Sequence, residues 1–177
     1  MNSLSRYAKP TPVPVATAPG VLLGIGLGGF IDGIVLHQIL QWHSMLSNVI
    51  RPSTIEAVHV NMFWDGVFHA VTWVVTFVGV MLLWRSGQRG TTPPLGILLG
   101  GMLLGWGVFN VVEGLINHQL LELHNVREVA APTFWNIGFL AISAVIFLIG
   151  LAMTYQRPGR AEHQRRAARG ETTSTRR

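Results

Sequence analysis

Four long apolar runs dominate this chain of 177 residues. They lie between Gly20 and Trp42, Val60 and Trp84, Leu95 and Ile116, and Phe134 and Tyr155. Each is about 20 residues or more, enough for a helix to cross a hydrocarbon core of roughly 30 Å. A backbone inside lipid must satisfy its own hydrogen bonds, and single runs of this length do so as helices. The fold class expected is therefore all-α, a polytopic membrane bundle of four helices. The expected spans are residues 20–42, 60–84, 95–121 and 133–155, within a transmembrane domain of residues 20–155. The Ser/Pro/Ala-rich arm, residues 1–19, and the Arg-rich tail, residues 156–177, read as disordered.

The first run is not purely apolar. It ends in GGFIDGIVLHQILQWH, which carries Asp32, His37 and His43. An ionisable side chain at membrane depth is costly and marks a functional site by default. The pattern recurs downstream. EGLINHQLLELH from Glu113 to His124 matches DGIVLHQILQWH from Asp32 as acid–Gly–x–x–x–His–Gln–x–Leu–x–x–His. Gly20, Gly24 and Gly26 align in the same register with Gly101, Gly105 and Gly107. The other two runs also align, Phe63-Trp64-Asp65 with Phe134-Trp135-Asn136. The chain thus reads as two tandem helical hairpins related by a pseudo-two-fold axis along the membrane normal. The second hairpin has Asn136 where the first has Asp65, and Leu140 where the first has His69.

A rise of about 1.5 Å per residue assigns depths to these groups. His37, Asp65 and His118 fall in one layer, and Asp32, His69 and Glu113 in a deeper one. Each acid then has a histidine at its own level on another helix. These six are the expected metal-ligating residues. His43, His124 and His59 are placed at the outer mouth as further ligands. Gln38, Gln119, Asn61, Asn110 and Asn117 are expected to supply supporting hydrogen bonds. One conflict arises. Asp32 and His37 are five apart, about 140° around a regular helix, and so are Glu113 and His118. Either each faces a different neighbour, or a π-bulge at Gly33 and Gly114 brings the pair together; the bulge is the preferred remedy.

Three functional readings fit these residues. Imidazole and carboxylate without thiolate suit zinc, copper or iron, and helical bundles build such sites from facing helices. Bis-histidine ligation of haem b by His37 and His118 would make an electron-transfer protein. In the third reading the Asp–His pairs are structural or relay protons. The chain has no cysteine, which excludes disulfides and thiolate metal sites. No nucleophile or cofactor motif points to a specific reaction. The net charge of +5 comes mainly from the tail, so the expected partner is the lipid bilayer and not nucleic acid.

With GGFIDGIVLHQILQWH, NMFWDGVFH and the EGLINHQ copy, the sequence resembles a bacterial family of predicted integral membrane proteins, the domain of unknown function twenty-two forty-three. The resemblance covers about Val21 to Tyr155. Asp32, Gly33, His37, Gln38, His43, Asp65, His69, Glu113 and His118 stand at its motif positions. It carries no established activity. It implies the company of respiratory oxidase assembly proteins, and with it copper or haem handling in a respiratory or metal-homeostasis setting.

Basic residues cluster in the N-terminal arm, in the Arg85–Arg89 loop and in the tail. The positive-inside rule then places both termini in the cytoplasm of a bacterial cell with the chain in its inner membrane. A fluorescent protein fused after Arg177 should fluoresce, and alkaline phosphatase fused there should be inactive. Strong phosphatase activity at that position would invert the topology.

Overall fold

The computed structural model describes residues 13–155. The arm before Val13 and the tail after Tyr155 lie outside the described residues. Helix α1 spans Val13–Ile31 and runs on as a π-helical segment, Asp32–Ile39. Helix α2 spans Ile55–Gln88. Helix α3 spans Leu95–Glu113 and continues as a second π-helical segment, Gly114–Leu120. Helix α4 spans Thr133–Thr154. All four are long and apolar enough to cross a membrane. Helix α1 begins ahead of Gly20 and includes Pro19, whose fixed φ near −65° is already helical. Helix α2 is longer than expected at both ends. Its cap is Thr54, whose hydroxyl accepts the Ala57 N–H at 3.2 Å.

The packing order is α2–α1–α3–α4, with α1 and α3 as the central pair. Glycine sets how close that pair can come. A Cβ at Gly24 would strike the Met102 carbonyl, and one at Gly105 would strike the Val21 carbonyl. Both members of that contact shift by 81 positions, the spacing of the sequence match. Without side chains at these points the two backbones touch, as small residues allow in membranes.

The interior is polar and the surface apolar. Among the described residues only Leu23 and Val126 are buried hydrophobics, against fourteen buried polar or charged residues. Val71, Phe77, Ile142 and Leu148 instead face outward. In water this would be an inverted protein. In lipid the outward side chains lose nothing, and the polar groups gather where they can partner each other. Trp42 is half-buried. It meets Trp135 edge-on at 5.2 Å, and Arg127 lies 5.1 Å and 4.9 Å from the two rings.

The central contact generates a direct expectation. Gly105→Ala should lower thermal stability in detergent by about 1–3 kcal/mol or more, because backbone cannot move aside for the methyl group. Gly138→Ala, where a Cβ meets nothing within 4 Å, should be neutral or slightly stabilising. Equal melting temperatures for the two variants would contradict the close packing.

Candidate metal centre

The site starts where the α-helical pitch fails. The two π-helical segments begin at or beside Gly33 and Gly114. Hydrogen bonds there run from i to i+5, so residues five apart come into line. Accordingly His37 Nε2 lies 3.3 Å from Asp32 Oδ2, and His118 Nε2 lies 2.8 Å from Glu113 Oε1. The glycines leave room for this. A Cβ at Gly33 would overlap the His69 ring, and one at Gly114 would overlap Leu140. Glu113 therefore pairs along its own helix, not across at its own depth as the sequence suggested. Cross-helix pairing holds for one acid: His37 Nδ1–H donates to Asp65 Oδ1 at 2.9 Å.

After each π-helical segment the chain turns through a left-handed residue, Gln41 at φ 51° and Glu122 at φ 49°. Such positions cost a non-glycine residue about 1–3 kcal/mol and cluster at functional sites. The turn sends His43 and His124 back into the bundle, where they are 4 % and 1 % exposed. Each loop then grips the other. His43 Nδ1–H donates to the Val126 carbonyl at 2.8 Å, and His124 Nδ1–H donates to the Met45 carbonyl at 2.9 Å. The two rings stack at 4.5 Å with 3° between their planes. His37 meets His43 edge-on at 4.3 Å, and His118 meets His124 edge-on at 4.8 Å.

The free nitrogens decide what this cluster can do. With Nδ1 donating, His37 and His43 in their neutral forms each present Nε2 as an acceptor. Nε2 of His37 and of His43 is buried with no hydrogen-bond partner, and so are both nitrogens of His118 and Glu113 Oε2. Burial above all pushes His43 well below the ordinary imidazole range and keeps it neutral. The close His118–Glu113 and His37–Asp32 approaches lack hydrogen-bond alignment. His124 Nε2 also lies 3.0 Å from Glu113 Oε1. Two triads, His37–His43–His124 and Glu113–His118–His124, have potential ligand atoms all within 4.8 Å of one another. Bonds of about 2.0–2.2 Å at a tetrahedral centre would set ligand atoms roughly 3.3–3.6 Å apart.

The remaining expected residues fall elsewhere. His59 is exposed and lies outside the cluster, and Gln38 and Gln119 are exposed too. His69 is half-buried against Gly33, with Nε2 unpartnered, and belongs to neither triad. Asn110 is buried on α3 and Asn117 half-buried. Asn61 anchors the loop between α1 and α2. It accepts the Leu46 N–H at 3.0 Å and donates to the Ile50 and Ala57 carbonyls at 2.8 and 3.0 Å. Asp65 also accepts the Met45 N–H at 2.8 Å, and Asn136 accepts the Val126 N–H at 3.0 Å. Asn136 thus keeps the loop contact of Asp65, but His118 Nδ1 finds no carboxylate.

Removing one loop anchor should show in stability. Asn61→Ala leaves the Leu46 N–H and two carbonyls short of partners and should cost about 1–3 kcal/mol. Thermal unfolding in detergent measures this, and an unchanged midpoint would mean that Asn61 does not hold the loop.

Among curated proteins and among solved structures, none matches this chain. The family model described as predicted membrane protein (DUF2243) matches residues 19–157, and the chain belongs to that family.

Proposed function

We propose that this family member binds a divalent transition metal in the histidine cluster at the outer end of its bundle. Glu113, His118 and His124 are three of the ligands in this reading, with His43 and His37 beside them. One observation carries it. Nε2 of His37 and of His43 is buried without a hydrogen-bond partner, while Nδ1 of each is fixed by a carboxylate or a carbonyl, and both nitrogens of His118 lie unpartnered beside them. Metal-binding histidines are typically held in this way, by the ring nitrogen that does not ligate. If the cluster were only a fastener, its unmet nitrogens would carry a desolvation cost of about 1–3 kcal/mol each. Two histidines and one carboxylate suit zinc or iron(II), whereas copper(I) favours thiolate or thioether.

Haem is the weaker reading. A porphyrin between His37 and His118 would need an apolar slot, and the stacked rings of His43 and His124 lie between them. The paired contacts 81 positions apart support the tandem pseudo-two-fold arrangement. Under it, Asp32 and Glu113 are counterparts, as are His37 and His118. The basic termini support a site that faces the periplasm.

Elemental analysis of protein purified in mild detergent should find a transition metal at about one ion per chain, with no Soret band. His124→Ala and Glu113→Gln should abolish binding, and His59→Ala should leave it unchanged. Asp65→Asn, which alters the group behind His37 and not a ligand of this reading, should weaken affinity by about 10–100-fold or less. A Soret band at full occupancy would replace this reading with haem. No metal under any loading condition would leave the cluster structural.

A further inference from the structure

A buried metal cluster needs an entry path. Glu113, His118 and His124 are all buried. Toward α4 they meet hydrocarbon. The His118 ring lies 5.4 Å from Phe139, and a Cβ at Gly114 would meet Leu140 and Phe139. The other end of the cluster differs. His37 and His43 line a cavity of about 920 Å³, together with Ser44, Asp65, Glu128 and Arg51. Glu113, His118 and His124 do not line it. At about 30 Å³ per water, six waters occupy roughly 180 Å³, so a hydrated divalent ion fits in this space.

Resting on the metal reading above, we infer that this cavity is the passage by which the metal enters and leaves, with His37 and His43 receiving the ion before His124 hands it on toward Glu113 and His118. Three observations carry this. The ligand atoms form a continuous series. His124 belongs to both triads, and within each triad the ligand atoms all lie within 4.8 Å of one another. An ion can therefore change partners one at a time. At the cavity end, Nε2 of His37 and of His43 is buried without a hydrogen-bond partner. Neither ring must break a hydrogen bond to take an ion. The last observation is charge. Asp65 and Glu128 bring two carboxylates to the wall against one exposed guanidinium, Arg51, so the wall does not repel a cation.

Cobalt(II) added to the full-length, metal-stripped protein in detergent tests the passage, because its visible bands report uptake in time. The chain has no cysteine, so Ser44→Cys puts a single thiol on the cavity wall. The hydrogen bonds between Ser44 and Ser47 run through the Ser44 backbone and survive this change. The thiol is capped with either a methylthio or a benzylthio group. The benzylthio cap should slow cobalt uptake by about tenfold or more relative to the methylthio cap, since a blocked passage lowers the association rate. The final cobalt spectrum should be the same, and reductive removal of the cap should restore the rate. Ser53→Cys, at an exposed position on the same wall, should show the same slowing and stands in if Ser44→Cys folds poorly. Thr92→Cys, exposed in the loop between α2 and α3, should be indifferent to the cap. Equal rates under the two caps at Ser44, or at Ser53 where it stands in, would overturn the passage and leave the metal reading intact. Equal slowing at Thr92 would overturn it too. Failure of the wild-type protein to take up cobalt, zinc or iron would overturn the metal reading, and the passage with it.

Discussion

The cost of keeping ionisable groups away from water organises this molecule. Asp32, His37, Asp65, Glu113 and His118 sit on helices that otherwise present hydrocarbon to hydrocarbon. A carboxylate or an imidazolium alone at that depth would be penalised by several kcal/mol. The chain avoids this by turning every such group toward the α1–α3 seam, where each lies within reach of another. Glycine makes the seam narrow enough. Gly24 and Gly105 let the two backbones touch, which brings the C-terminal ends of α1 and α3 close enough for their histidines to meet.

Helical pitch alone would undo this convergence. An acid and a histidine five positions apart point in different directions on an α-helix. The π-helical segments at Asp32–Ile39 and Gly114–Leu120 remove that mismatch. The left-handed residues Gln41 and Glu122 then return the chain over the bundle, so each loop supplies a histidine and a carbonyl to the other. Symmetry of backbone coexists with asymmetry of chemistry. Asp65 fixes His37, whereas Asn136 turns its amide to Asn125 at 2.9 Å and leaves His118 unfixed. The side with Asp65 is also the side with the cavity.

The spans are legible in the sequence because hydropathy is a property of composition, and composition within each run is uniform. The pairing of His37 with Asp65 is legible too, since equal depth on adjacent helices is enough to predict it. The central position of His43 and His124 is not. Counted along straight helices they belong at the mouth, and only the left-handed turn brings them inside. Their signal was present nonetheless, as the last histidine of a pattern that occurs twice at one spacing. Gln38 and Gln119 share that pattern, but each directly follows an inward histidine and so faces out. His59 carries no counterpart in the second half and sits on an exposed turn of α2.

The central claim is that imidazole nitrogens and a carboxylate surround an ion. X-ray absorption at the metal edge of protein isolated without chelators tests it most directly. The account predicts a first shell of nitrogen and oxygen at about 2.0–2.2 Å, no sulfur, and the outer-shell scattering of at least two imidazole rings. An edge that shows porphyrin scattering, or a fully hydrated ion without imidazole, would contradict it.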